Sequence, residues 1–373
     1  MSIFTVAIND ERYVYNSDGW KRISGVRHLD MNTILQVDIQ EGLIQLLCPM
    51  EIWTQTEAFI TFLESGWKFY GDSLIVKIKP RGKNEFNGLF AIGPGVRQIA
   101  FCYLKLDFTE VKLAPSCGGF VGQNCVECSF TECHAKGTLS RKNGGICGSY
   151  AESTFINCSF RGDMARESGG IVGSHARSKF INCHSEGLKI TSSGGICGSH
   201  AGDCEITNCY SIGEIVDKSG GICGIYAGET GQCDIENCFS KGNISSSSGG
   251  ICGAYAREHC VIDRCYSTGD INDSTGIAGY CSVHTRIKRC YTTGSITGHF
   301  GRGIVDTLEK CVVEDCLVLG TNDSPNHSYF YHKGNGVFSK DGAEFTIEQV
   351  IEQLNKIERI WTIPTTLYGS YFE

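Results

Sequence analysis

The chain has 373 residues, a formal net charge of −8, 47 glycines against 6 prolines, and 22 cysteines. The acidic balance and the lack of a basic run exclude an electrostatic grip on nucleic acid, and no apolar run approaches the roughly 18 residues of a membrane-spanning helix. Abundant glycine with little proline suits a turn-rich β protein, and the length allows two ordinary domains or one elongated repeat domain with caps.

The opening stretch, Met1 to Glu11, has no basic segment and too short an apolar core for a secretory signal, so synthesis in the cytoplasm is expected. Residues 1–30 are mixed and polar, with Trp20 as an anchor. Residues 34–39 and 74–79 alternate or run apolar over strand lengths, and 90–111 continue the pattern. Residues 56–67 predict a short helix from Ala58, Phe59, Phe62 and Leu63, while Pro49, Pro80 and Pro94 mark bends. Residues 1–110 are therefore expected to form an N-terminal β cap and leading, irregular coils of the repeat that follows.

Across 111–321 a unit of roughly 25 residues recurs about eight times, the signature of a solenoid. Glycine pairs head the copies at Gly144-Gly145, Gly169-Gly170, Gly194-Gly195, Gly220-Gly221 and Gly249-Gly250. Each coil holds three short apolar pieces divided by polar or glycine turns. In one copy they lie around Ile196, around Ile206 to Tyr210, and around Ile212 to Val216. The pieces are too short for helical repeats and predict an all-β fold, a right-handed parallel β-helix of triangular section. At about 4.8 Å per coil, eight coils make a rod on the order of 40 Å. Asn precedes Cys at Asn157, Asn182, Asn208 and Asn237. Ile206 and Cys209 can both face inward only if the chain bends between them, so corners are expected near Asn-Cys and at Gly-Gly, where glycine supplies positive φ or close packing.

The cysteines fall into repeat positions. Cys147, Cys197, Cys223 and Cys252 should form one ladder, and Cys158, Cys183, Cys209, Cys238, Cys265 and Cys290 another. A third set, Cys204, Cys233 and Cys260, lies five residues before the second. The first reading is buried small thiols. Disulfides are an alternative, and they would link different columns, because in-register Cβ atoms about 4.8 Å apart exceed the roughly 3.8 Å of a relaxed disulfide. Cys125, Cys128, Cys133 and His134 have zinc-like opening spacing, but adjacent Cys133 and His134 would point apart in a strand, so no metal or other cofactor is expected. Tyr150, His175, His200, Tyr226 and Tyr255 share one register, each followed by Ala, and predict an aromatic stack along one edge. Arg161-Gly162-Asp163 occupies the ordinary Gly position of the repeat.

After Thr321 the repeat stops. Residues 322–373 are expected to form a C-terminal cap with an amphipathic helix over 346–358, N-capped by Thr346 with Gln349 three residues on.

Two stretches, Asn208-Cys209-Tyr210-Ser211-Ile212-Gly213 and Ser219-Gly220-Gly221-Ile222-Cys223-Gly224, resemble the GLUG-motif repeat. Cys265-Tyr266-Ser267-Thr268-Gly269-Asp270-Ile271 and Cys290-Tyr291-Thr292-Thr293-Gly294-Ser295-Ile296 share the likeness. The resemblance covers a little over half the chain. It implies a β-helical stalk or surface module of the adhesin type. The chain departs from the family in having Ile-Cys for Leu-Val, no export signal, and no His-Glu-x-x-His.

No paired acids, phosphate loop or nucleophile elbow stands out, and Asp234, Asp263, Asp270 and Asp273 fall in different registers, so an enzyme is not expected. The expectation is a non-catalytic structural or interaction protein acting through protein partners or as a homo-oligomer. A cysteine-rich solenoid made in the cytoplasm fits a large assembly such as a virus particle, as surface, fibre or minor capsid element. The alternatives are a cell-surface adhesin and a glycan-binding or glycan-cleaving β-helix.

Overall fold

A computed structural model describes residues 2–25, 29–54, 57–306, 311–318 and the strand Val337–Ser339. The chain is all-β, a parallel solenoid of about ten turns with about 26 residues per coil. At about 4.8 Å per coil the rod is roughly 50 Å long. No helix among the described residues is long and apolar enough to cross a membrane.

Three walls enclose the core. The first is a twelve-stranded sheet that climbs in chain order from Leu35–Asp38 through Cys204–Thr207 to Val312–Glu314. Only its opening pair, Leu35–Asp38 with Leu43–Leu46, is antiparallel. The second wall runs from Met50–Trp53 through Tyr210–Val216 to Cys316–Val318 and Val337–Ser339. The third is a narrow ladder made by the Gly-Gly-Ile-Cys-Gly segments. It includes Gly144 with Gly169, Gly169 with Gly194, Gly194 with Gly220, and Gly220 with Gly249.

The N-terminal segment is a three-stranded antiparallel meander, Ser2–Ile8, Glu11–Asn16 and Gly19–Ser24. It extends the third wall by pairing Phe4, Thr5 and Val6 with Ile60–Phe62, which runs parallel to Phe90–Ile92. Phe4 packs against Tyr15, Trp20 and Trp67 at centroid distances of 5.3, 5.7 and 5.6 Å, which closes the first open coil. The helix predicted over 56–67 is thereby corrected. Ile60–Phe62 is a strand, and Phe59, Ile60 and Phe62 are buried by this cross-pairing. The apolar spacing mimicked a helical face, but ladder bonds on both sides of so short a segment outweigh local periodicity. Leading coils then pass through Leu43–Leu46, Lys68–Tyr70 and Ala100–Cys102 into the regular repeats without a break in the sheet. The predicted helix 346–358 lies outside the described residues. Within the expected cap 322–373, the strand Val337–Ser339 pairs in parallel with Cys316–Val318 and so continues the second wall.

Strand alternation fills the interior. In Cys204–Thr207, Cys204 and Ile206 are buried while Glu205 is exposed. The central inward column of the first wall is Phe101, Phe130, Phe155 and Phe180, stacked at 4.8, 5.0 and 5.2 Å. It then changes to Ile206, Ile235, Ile262 and Ile287.

The corners have a common cause. Asn157, Asn182, Asn208 and Asn237 adopt φ between 52° and 55°, the left-handed region that Asn tolerates better than most residues. Asn182 Nδ2 donates to Asn157 Oδ1 at 3.2 Å, so neighbouring corner side chains bond along the rod. The paired glycines serve close approach instead. A Cβ on Gly195 would lie 2.0 Å from the Gly221 carbonyl oxygen, and one on Gly145 would lie 2.2 Å from that of Gly170.

Candidate functional site

The corner between the third and first walls carries a row of part-exposed aromatic rings. Its residues Tyr150, His175, His200, Tyr226 and Tyr255 have φ between 59° and 63°. That left-handed step turns each side chain out while the following Ala151, Ala176, Ala201, Ala227 and Ala256 are buried. Their backbone N–H groups donate to the next coil at 2.8 to 3.1 Å, which fixes one ring per rung. Ser149 and Ser174 hydroxyls donate to the carbonyls of Lys142 and Glu167 at 2.9 and 2.7 Å and brace the corner from within the coil.

The rings form one ladder. Tyr150, His175, His200, Tyr226 and Tyr255 stack at centroid distances of 4.7, 4.7, 4.8 and 5.3 Å, and Tyr280 ends the row edge-on at 6.2 Å. Tyr150 is 51% exposed and Tyr280 41%. Because the inner rings cover each other's faces, these part-exposed rings offer edges rather than faces to solvent. A sugar that stacks on a free ring face finds none inside this row. Charges flank the ladder. Glu229 lies 2.7 Å from His200 Nδ1, and Arg257 and Lys218 each lie 5.7 Å from a ring centroid, that of Tyr226 and of Tyr255. Burial, and next the neighbouring His200, hold the His175 pKa below the ordinary histidine value.

The thiol columns run behind these walls, and all 22 cysteines are free. In the third wall Cys147, Val172, Cys197, Cys223 and Cys252 follow one another directly. In the Asn-Cys column Cys158, Cys183, Cys238, Cys265 and Cys290 each sit between two acceptor carbonyls: one a coil back, of Phe130, Phe155, Ile206, Ile235 and Ile262 at 3.4 to 3.6 Å, and one two residues back at 3.1 to 3.5 Å. Cys209, in the same column, donates to the Thr207 carbonyl at 3.3 Å. In the third column Cys204 donates to the Ala176 carbonyl at 3.1 Å, as Ser178 does to Ala151 at 2.8 Å one coil earlier. The two thiol-bearing walls meet at Cys223 and Cys233, with sulfurs 3.9 Å apart, and at Cys252 and Cys260, 3.7 Å apart. Sequence reasoning named these columns but not the contacts between them, since spacing along the chain carries no distance across the core.

The zinc-like set does not converge. Cys133 donates inward to the Phe101 carbonyl at 3.4 Å, whereas His134 Nδ1 lies 2.7 Å from Ser159 Oγ on the other side of the strand. No metal-competent group of three or more side chains occurs among the described residues. Asp163 of the Arg-Gly-Asp tripeptide accepts from the backbone N–H groups of Leu188 and Lys189 at 2.9 and 3.1 Å, so its carboxylate caps the next coil. A second row of rings, His184, Tyr210, Phe239, Tyr266 and Tyr291, stacks at 4.7 to 5.0 Å on the second wall and was not singled out from the sequence. The in-register residue after each corner Cys was the available signal. On the first wall a shallow groove of about 590 Å³ is lined by Glu127, Glu152, Arg177, Lys179, Asp203 and Glu205. Lys179 pairs with Glu205 at 2.6 Å and Arg177 with Asp203 at 3.9 Å.

No protein-family model, curated protein or solved structure matches the chain. The likeness to the GLUG-motif repeat rests on the motif residues alone.

Proposed function

We propose that the chain is a non-catalytic structural or interaction protein, a β-helical building block of a larger assembly such as a virion surface, fibre or minor capsid element. The observation that carries this reading is the ring ladder from Tyr150 to Tyr280, whose centroid spacings of 4.7 to 6.2 Å follow the rungs of the rod. A surface that repeats at the strand spacing of about 4.8 Å is matched best by another surface of that same repeat. A second solenoid of this chain, laid alongside, meets that condition over several rungs, and Tyr and Arg, here Tyr226 with Arg257, are residue types enriched at protein interfaces. The GLUG-motif likeness supports the same reading.

Sedimentation velocity on the full chain, from micromolar to near-millimolar concentration, tests it. Reversible self-association is expected, and Tyr150→Glu with Tyr226→Glu should weaken it at least about tenfold, or about 1.4 kcal/mol. A chain that stays monomeric throughout, or associates equally well with both rings replaced, would overturn lateral pairing. Polysaccharide turnover would favour the glycan-cleaving alternative, with the carboxylate-lined groove as its site.

A further inference from the structure

We infer that Cys252 with Cys260, and Cys223 with Cys233, are modification sites that form disulfides within single coils, behind the corner that bears the ring ladder. The inference concerns the interior and holds whether or not the ladder binds a partner. Each pair brackets one outward ring, since Tyr255 lies between Cys252 and Cys260, and Tyr226 between Cys223 and Cys233. All four thiols are fully buried. The sulfurs already touch at 3.7 and 3.9 Å. A disulfide of about 2.05 Å asks them to close by roughly 1.7 to 1.9 Å, a movement within reach of small rotations about the Cα–Cβ bonds.

Neighbours within a column are less suited. Parallel, in-register strands hold their Cβ atoms near 4.8 Å, beyond the usual disulfide range of about 3.5 to 4.5 Å. The Asn-Cys thiols are also turned onto carbonyls, as with Cys265 on Ile235 at 3.5 Å. Three other coils lack the pair. The two positions are Cys147 and Ser153 in one coil, Val172 and Ser178 in the next, and Ala278 and Thr285 above. Cys197 and Cys204 complete the set, but Cys204 is turned onto the Ala176 carbonyl at 3.1 Å. The expected order of linkage is therefore Cys252–Cys260, then Cys223–Cys233, then Cys197–Cys204.

The oxidant is a small-molecule disulfide such as oxidised glutathione. The Cys252 thiolate attacks one of its sulfurs, forming a mixed disulfide and releasing one glutathione thiolate. The Cys260 thiolate then attacks Cys252 Sγ and displaces the second. The two protein thiol protons end on the two released glutathiones, the protein loses two electrons, and the oxidant is reduced by two. Attack on a buried thiol needs the corner open, so the reaction belongs to folding or to local opening of a coil.

The test is to refold the full reduced chain with oxidised glutathione, block remaining thiols, digest with trypsin without reduction, and map linked peptides by mass. Fragments 242–257 and 258–264 contain Cys252 and Cys260 as their single cysteines, so their joining reports this bond alone. Their joined form should weigh about 2 Da less than the sum of the two reduced peptides. Linking should be at least about tenfold faster during refolding than in the folded chain. Cys260→Ser should remove the joined species and still fold, since Ser fills that column at Ser153 and Ser178, while Cys265→Ser should leave it intact. Complete blocking of all 22 thiols after oxidative refolding, or links inside a column such as Cys223 to Cys252, would overturn the assignment.

Discussion

Gly195 shows how one hydrogen atom sets the fold of a coil. Its missing Cβ would meet the Gly221 carbonyl oxygen at 2.0 Å and Ser211 Cβ at 2.6 Å. Neither partner can withdraw without moving a wall. Gly195→Ala should therefore cost at least about 3 kcal/mol, at the upper end of overpacking effects. Gly82→Ala is the contrast: Gly82 has φ +61° and open space around it, so its change should cost only the about 1 kcal/mol of left-handed backbone. Urea-unfolding midpoints of the two variants check the difference. Asn208 was legible as a corner because Ile206 and Cys209 cannot both face inward along a flat strand. The outward, left-handed setting of Tyr226 was less legible, since aromatic residues are uncommon at such φ, and only the repeated Ala after the ring hinted at it.

Among elements, the second-wall strands place histidines where they cannot easily take a proton. Burial pushes the pKa of His184 down to about 4. It pushes that of His134 to about 3, with His184 and Lys105 adding to the effect. Glu132 lies 3.6 Å from His134, and Tyr210 stacks on His184 at 4.7 Å. The unfolded chain protonates these groups near pH 6.5, the folded chain only near pH 3 to 4. Between those limits the unfolded state binds more protons, so stability falls as pH falls, by about 1.4 kcal/mol per pH unit for each histidine. His184→Tyr keeps the ring row, as Tyr266 and Tyr291 do in the same column, and should remove one histidine's share of that slope. Denaturation measured from pH 7 to pH 4 checks it, and an unchanged slope would refute it. The segment around Ile60–Phe62 marks the limit of local reading at this scale. Its partners are Phe4 to Val6 and Phe90 to Ile92, at the start of the chain and a coil further on.

For the whole molecule, a rod whose coils touch only their neighbours should tolerate loss of one complete coil. Deleting 169–193 joins Ser168 to Gly194, and Ser168 holds the same register position as Ser193. Tyr150 would then meet His200 in the ladder, and Cys147 would meet Cys197 in the third wall. The expected product is a folded β chain shorter by about 4.8 Å, read from small-angle scattering with circular dichroism. Deleting about half that length should disrupt folding, because a half coil puts inward residues of one wall against the wrong wall.

The repeat by itself determined the solenoid, the rungs, and which residues share a column. A parallel stack makes each copy the template for the next, so equal positions in sequence become equal positions in space. Tertiary structure decided what happens between columns and at the start of the rod. The contacts of Cys252 with Cys260 and of Cys223 with Cys233 depend on how far apart two walls stand. The pairing of the N-terminal meander with Ile60–Phe62 likewise depends on contacts between distant parts of the chain. Periodicity along one chain holds no measure of those distances, whereas close packing of three walls around one interior fixes them.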